Sequence, residues 1–127
     1  MDNLKTILIV DDASLVRLYY RSILEPAGFR IEEAFNGVEA LEKLQSAVVD
    51  LLIVDINMPL MDGLTLLDTL RRRDLPIASI PALITSTESG EKDFDAARAA
   101  GANHYLVKPI DRETLVEFAT MLCGVPR

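Results

Sequence analysis

Four short runs of uniformly apolar residues recur along the chain and constrain its fold more than any other feature. Each is too short for a helix and too continuous for a strand with one wet face, so each predicts a buried parallel strand. The runs lie at residues 7–10, 51–54, 82–84 and 106–107. A more polar segment at 31–35 follows the turn signal at Gly28 and predicts a fifth strand, nearer an edge of the sheet.

Apolar residues at helical spacing follow each of these segments, so the pattern is strand then helix, five times. Gly37, Gly63 and Gly90 are expected at helix starts, and Pro26 is expected to end the first helix. Right-handed crossovers between parallel strands place helices on both faces of a sheet. The pattern therefore predicts a doubly wound α/β sheet, in one domain that spans residues 1–127.

The composition limits the partners of such a domain. Half of the residues are hydrophobic, and 20 Asp and Glu against 13 Lys and Arg give a net charge of −7. This balance excludes intrinsic disorder and makes binding to a nucleic-acid backbone unfavourable. Proteins or cations are the expected partners.

No segment has the properties of a secretory signal or a membrane helix. The longest uncharged run, residues 75–87, contains two prolines and falls short of the ~20 residues that span a bilayer. A cytoplasmic protein without membrane contact is therefore expected. Cys123 is the single cysteine, which excludes an internal disulfide and predicts a buried packing residue.

Polar residues follow the predicted strands at the carboxyl ends, where doubly wound sheets bind ligands. Taken singly, each could cap a helix, open a turn or be a solvated charge. Together they predict a site along one rim, made of three carboxylates, hydroxyls and an ammonium. These residues are Asp11 and Asp12 after the first strand, Asp55 after the third, Thr85 and Ser86 after the fourth, and Lys108 after the fifth.

The charges of this rim predict a divalent cation. Two carboxylates about 5 Å apart repel by roughly 3 kcal/mol at an effective dielectric of about 20. Oxygen ligands with room for water suit Mg²⁺ or Mn²⁺. With the cation and Lys108 neutralising phosphoryl oxygens, attack of Asp55 on phosphorus would give an aspartyl-phosphate. The chain has no glycine-rich phosphate motif, which disfavours nucleotide binding.

Several motifs in order resemble the response-regulator receiver family over almost the whole chain. They are Val-Asp-Asp at 10–12, Asp-Ile-Asn-Met-Pro-Leu-Met-Asp-Gly at 55–63, a hydroxyl after the fourth strand, and Tyr-Leu-Val-Lys-Pro at 105–109. The resemblance implies a flavodoxin-like (βα)5 three-layer sandwich, with a parallel sheet of strand order 2-1-3-4-5.

The resemblance also implies roles for individual residues. Asp55 would be the phosphoacceptor and, with Asp12, a direct ligand of Mg²⁺. Asp11 would help to position the ion through water, and the backbone carbonyl of Asn57 would complete the protein ligands. Lys108 would contact the phosphoryl group, and the peptide bond that follows it is expected to be cis.

A switch is implied at the end of the fourth strand. Period-two alternation does not choose among the three adjacent hydroxyls, but the family's spacing selects Ser86. Ser86 and the backbone N–H of Thr87 would bind the phosphoryl group. The ring of Tyr105 would then turn and alter the surface of helix 4, strand 5 and helix 5. Asn57 and Glu88 would tune the rate at which phosphate is lost.

Two positions depart from the family pattern. Thr87 stands where Ala or Gly is usual, and its branched side chain is expected to slow phosphorylation by small donors. Ile110 replaces the usual aromatic residue after Lys-Pro. Elsewhere, His104 is expected to be a surface or packing residue, and the run at 71–73 to end a helix rather than to form a docking patch.

Two tyrosines of helix 1, Tyr19 and Tyr20, are expected to pack the helix rather than to serve recognition, although partner kinases commonly meet this helix in the family.

The leading hypothesis is a stand-alone receiver domain. Its only catalytic activities would be transfer of the phosphoryl group to itself and removal of that group, so it would not be classed as an enzyme. A sensor histidine kinase or histidine phosphotransfer protein would supply the phosphoryl group.

The output would be a downstream protein, without direct nucleic-acid binding, from a monomer or weak phosphorylation-dependent dimer. Unless the chain is a fragment of a longer regulator, no DNA-binding effector domain is expected at this length. Two alternatives remain open: a scaffold that acts without phosphorylation, and a phosphohydrolase, which would want an Asp at position 57.

Overall fold

The computed structural model describes residues 4–124, in which five strands alternate with five helices. The strands are β1 (Thr6–Val10), β2 (Arg30–Ala34), β3 (Leu51–Asp55), β4 (Ala82–Ser86) and β5 (His104–Val107). The helices are α1 (Ser14–Leu24), α2 (Gly37–Ser46), α3 (Gly63–Arg71), α4 (Glu91–Ala100) and α5 (Arg112–Cys123), with one 3-10 turn at Ile77–Ser79. The alternation predicted from the apolar runs is confirmed.

All the strands pair in parallel, in the order β2-β1-β3-β4-β5, so the predicted flavodoxin-like sandwich is also confirmed. The sheet has an apolar core on each face. Helices α1 and α5 cover one face, against Ile9, Ile53 and Leu83, and this side is called the α1/α5 face below. Helices α2, α3 and α4 cover the other face, against Val10, Val54 and Ile84.

The two edge strands differ in how well the sequence predicted them. The more polar β2 lies at one edge, as expected. The run at 106–107 was predicted to be buried on both sides, and this prediction is wrong because β5 is the opposite edge. Val107 is exposed and Leu106 is only partly buried, since one side of β5 has no neighbouring strand in the described chain.

Helix ends follow the expected local chemistry. Helix α1 ends at Leu24, two residues before Pro26, and α3 begins at Gly63 behind the N-cap Asp62, whose Oδ1 accepts from Thr65 N at 2.8 Å. Asn36 caps α2 in the same way. None of the helices within residues 4–124 has both the length and the apolar character needed to cross a membrane.

Arg71 holds two loops together, which is more than the helix-end role predicted for the run at 71–73. Its guanidinium donates to the carbonyl oxygens of Ala78 at 3.1 Å and Ile80 at 2.6 Å, and to that of Gly101 at 2.8 Å. Burial lowers the pKa of Arg71. The side chain therefore ties the end of α3 to the segments that precede β4 and β5.

Candidate functional site

The carboxylates that follow β1 and β3 come together at the carboxyl edge of the sheet. Asp55 is the last residue of β3 and lies two positions after Ile53, so strand alternation directs it to the α1/α5 face. Asp11 has the same relation to Ile9. With the exposed Asp12, these residues can bring three carboxylate oxygens within 4.8 Å of one another. The predicted acidic rim is therefore present.

Lys108 lies between two of these carboxylates. Its Nζ donates to Asp11 Oδ2 at 3.0 Å and to Asp55 Oδ1 at 3.2 Å. The side chains are 2% exposed for Asp11, 9% for Asp55 and 19% for Lys108. The peptide bond between Lys108 and Pro109 is cis, as the family resemblance implies.

The electrostatics of this group are those of a site with excess negative charge. Burial raises the pKa of Asp55 and the charge of Asp11 adds to the increase, while Lys108 opposes it. Burial pushes the pKa of Lys108 down, but the hydrogen bond and charge of Asp11 and the charge of Asp55 outweigh it and hold this pKa above its ordinary value. The lysine therefore remains a cation that partly offsets the carboxylates.

The loop after β1 is fixed by its own hydrogen bonds rather than by Asp12. Asp11 Oδ1 accepts from Ala13 N at 2.9 Å, and Arg17 Nη1 donates to the backbone oxygen of Asp11 at 2.7 Å. The N-cap of α1 is Ala13, which makes no side-chain cap bond. Asp12 is therefore not the N-cap of α1.

A tight fold of the β3–α3 loop lies against the backbone of Asp55. Gly63 N donates to Ile56 O at 2.8 Å, and a Cβ on Gly63 would lie 2.3 Å from Asp55 O. Only glycine leaves room for this approach. Asn57 lies in the same loop and is exposed. Gly63 thus matters for the site as well as for the start of α3.

At the end of β4, Ser86 and Tyr105 both hydrogen-bond to the backbone of Glu88. Ser86 Oγ accepts from Glu88 N at 3.0 Å, and the Tyr105 hydroxyl donates to Glu88 O at 2.8 Å. The Tyr105 ring packs edge-on against Phe94 of α4, with centroids 4.7 Å apart. Ser86 is fully buried, whereas Thr87 and Glu88 are exposed.

Most residues outside the rim have the packing roles predicted for them. His104 is exposed, and its ring contacts the Phe118 ring edge to face, with centroids 5.0 Å apart. Cys123 is buried, and burial raises the pKa of its thiol to about 11. Tyr20 packs into the core, but Tyr19 is largely exposed and its hydroxyl donates to Ile110 O at 2.8 Å. The packing prediction holds for Tyr20 and is only partly right for Tyr19.

Sequence reasoning missed one side chain near the site. Arg17 Nη1 donates to the Asp11 carbonyl from α1. The available signal was a cation close in sequence to the acidic pair, at the start of the helix that follows it. Thr85, which was named among the rim residues, is buried, and its hydroxyl donates to Val54 O at 3.5 Å.

Comparison with known proteins agrees with this geometry. The family model for the response regulator receiver domain matches residues 7–120. The chemotaxis protein CheY1 of Helicobacter pylori is 38% identical over 120 residues, which cover 93% of this chain and 96% of that protein. The crystallised CheY4 of Vibrio cholerae is 33% identical with a TM-score of 0.87, and the match covers 94% of this chain and 98% of that one.

A CheY-like receiver domain protein from Methanospirillum hungatei is 28% identical with a TM-score of 0.87, over 96% of this chain and 95% of that one. The parallel sheet and its acidic edge define a receiver-type switch of two-component signalling, a class of phosphoacceptor proteins rather than of classical enzymes. This chain belongs to the response regulator receiver domain family and is CheY-like.

Proposed function

We propose that the chain accepts a phosphoryl group on Asp55 and uses the modification to switch a protein-binding surface. The observation that carries the proposal is the arrangement of Asp55 with Lys108 and a second buried carboxylate, Asp11. An isolated buried carboxylate would be costly, and this one is kept at a solvent-facing edge with a cation beside it. That arrangement suits a nucleophile whose product carries more negative charge.

The donor set fits Mg²⁺ or Mn²⁺. The three carboxylates can converge on one ion. Within residues 4–124, this group of possible ligands includes no cysteine or histidine, the side chains that would favour zinc. Asp12 and Asp55 would bind the ion directly, Asp11 through water, and Asn57 through its backbone carbonyl. A bound divalent ion would supply charge neutralisation for the phosphoryl oxygens.

The transfer step uses groups of this chain. A carboxylate oxygen of Asp55 attacks phosphorus, the O–P bond forms, and the N–P bond to the donor's histidine breaks. The imidazole leaves with the electron pair and takes a proton from solvent. The Lys108 ammonium stabilises the transferred oxygens, and Ser86 and the backbone N–H of Thr87 donate hydrogen bonds to them.

The bonds around Glu88 suggest how the signal leaves the site. If the Ser86 hydroxyl turns to the phosphoryl group, it gives up the bond from Glu88 N, and the loop that accepts from Tyr105 is released. Tyr105 would then reorient and change the surface of α4, β5 and α5. A downstream protein would read this surface, and Asn57 and Glu88 would tune the lifetime of the phosphate.

A sensor histidine kinase or a histidine phosphotransfer protein is the proposed phosphoryl source, because an aspartate nucleophile needs an activated phosphoryl donor.

Acetyl phosphate can replace this protein donor in the test. Intact-mass spectrometry in Mg²⁺ should show one added phosphoryl group on the wild type. The Asp55→Asn variant should show none, and Asp95→Asn, an exposed position on α4, should match the wild type. Labelling that persists in Asp55→Asn would remove Asp55 from this role.

A further inference from the structure

The carboxylate of Asp12 is the least restrained of the three acidic groups at the site. Asp11 and Asp55 both accept hydrogen bonds from Lys108. The Asp12 side chain is exposed and accepts no hydrogen bond from the described residues 4–124. Its distance from the other two carboxylates is therefore set mainly by the backbone on either side of residue 12.

Arg17 bonds that backbone on both sides of Asp12. Its Nη1 donates to the carbonyl oxygen of Asp11 at 2.7 Å, and its backbone N–H donates to the carbonyl oxygen of Ala13 at 3.1 Å. The second bond belongs to the first turn of α1, and any residue other than proline could make it. The first bond needs a long side chain that reaches back from the helix over the loop, so it depends on the arginine itself.

Glu33 holds the guanidinium of Arg17 in this position. Its Oε1 accepts from Arg17 Nε at 2.8 Å, and its Oε2 accepts from Arg21 Nε at 2.8 Å. Because the guanidinium is planar and rigid, the bond from Nε to Glu33 also fixes the direction of Nη1. The Arg17 and Glu33 side chains are 17% and 29% exposed, so the pair is largely shielded from water.

We propose that Arg17, held by Glu33, is a positioning residue that fixes the peptide unit before Asp12 and so keeps this carboxylate close to the other two. The inference rests on the proposed function, in which Asp12 is a direct ligand of the divalent cation. Arg17 contacts the Asp11 carbonyl oxygen, so it acts on the ligand through the backbone. Without the guanidinium, the loop before α1 would lose more conformational freedom when the ion binds.

The test removes the guanidinium with Arg17→Met, and Arg21→Met is the matched control. Both variants lose a positive charge and a bond to Glu33, but only Arg17 reaches the Asp11 carbonyl. Mg²⁺ affinity is measured by calorimetry on the unphosphorylated protein. Loss of a positive charge alone would tighten Mg²⁺ binding, whereas loss of positioning weakens it. We expect Arg17→Met to raise the Mg²⁺ dissociation constant roughly fivefold, and Arg21→Met to change it less than about twofold.

A second readout distinguishes positioning from a general loss of structure. Phosphorylation by acetyl phosphate is followed by intact mass over a series of Mg²⁺ concentrations. Because the Arg17 bonds go to Glu33 and the Asp11 backbone, the maximal rate of Arg17→Met should stay within about twofold of the wild type. The Mg²⁺ concentration that gives half of this rate should rise roughly fivefold. A partly unfolded variant would instead lose maximal rate with an unchanged Mg²⁺ dependence.

A second variant, Arg17→Lys, serves if Arg17→Met folds poorly. Lysine keeps the positive charge, but its single ammonium lacks the planar fork that joins Glu33 to the Asp11 carbonyl. The Mg²⁺ dissociation constant of Arg17→Lys should therefore be raised about two- to threefold, between the wild type and Arg17→Met. Since the charge is unchanged, this weakening would report geometry alone.

The outcomes separate the two proposals. A wild type that neither binds Mg²⁺ nor acquires a phosphoryl group contradicts the proposed function. A wild type that does both, with Arg17→Met and Arg17→Lys variants that bind Mg²⁺ as tightly as it does or more tightly, overturns the positioning role alone. Equal weakening in Arg21→Met would also overturn it, because Arg21 makes no bond to the Asp11 carbonyl within residues 4–124.

Discussion

Lys108 Nζ donates to Asp11 Oδ2 at 3.0 Å, and a second proton of the same ammonium goes to Asp55. These residues come from three separate strands' ends, and their contact joins β1, β3 and β5 across the functional edge. The ammonium is therefore the built-in counter-charge of the carboxylates. Any added cation competes with it for the same oxygens.

This competition leads to an expectation for Lys108→Met. Removing the ammonium leaves more negative charge at the site, so Mg²⁺ should bind several-fold more tightly by calorimetry, whereas phosphorylation should fall at least about tenfold. Lys92→Met on the exposed surface of α4 is the control and should change neither quantity. Weaker Mg²⁺ binding in Lys108→Met would contradict the counter-charge role.

The exposed Thr87 is expected to narrow the approach of small donors to Asp55. Thr87→Ala should therefore react faster with acetyl phosphate than the wild type, by about two- to fivefold. Initial rates at saturating Mg²⁺ measure this, and Ser89→Ala in the same exposed loop is the control. Equal rates for Thr87→Ala and the wild type would end the steric explanation.

Glu33 gives a pH dependence of stability with a defined sign. Its carboxylate accepts from Arg17 Nε and Arg21 Nε, both at 2.8 Å. Burial pushes the pKa of Glu33 up, but these arginines outweigh it and lower the pKa below 4.5. Because the pKa is lower in the folded state, the stabilisation is present above pH 4.5 and is lost as the pH falls through the folded pKa.

The variant Glu33→Gln should therefore be less stable than the wild type at neutral pH, by about 1 kcal/mol or about 3 °C in Tm. The difference should shrink as the pH falls below 4.5, the ordinary value for this carboxyl group. Thermal unfolding from pH 3 to 8, with the neighbouring Glu32→Gln as control, measures it. A difference that grows on acidification would contradict the ion-pair explanation.

Arg71 and Arg72 offer a matched pair for stability. Arg71→Met removes donors from the carbonyl oxygens of Ala78, Ile80 and Gly101, and should cost about 2–4 kcal/mol. Arg72 makes an exposed pair with Asp68 at 3.3 Å, so Arg72→Met should cost less than about 1 kcal/mol. Urea unfolding distinguishes the two, and equal losses would refute the tethering role of Arg71.

The strand runs predicted the parallel sheet well because burial on both faces leaves a continuous apolar signature. The same signature misled at β5, where Leu106 and Val107 are apolar although one edge of the strand is open. Apolar content reports what packs on a strand's faces and says nothing of how many strands flank it. The polar residues after the runs were predictive because parallel strands present their carboxyl ends on the same side.

The sequence by itself determined the alternation of strands and helices, the acidic residues at the strand ends and the family resemblance, since each depends on residue type and local spacing. Only the tertiary structure decided which side chains meet. The contact of Lys108 with Asp11 spans 97 positions of sequence, and the contact of Arg71 with Gly101 joins the end of α3 to the segment before β5. Such contacts depend on crossover packing and register, which periodicity in one segment does not encode.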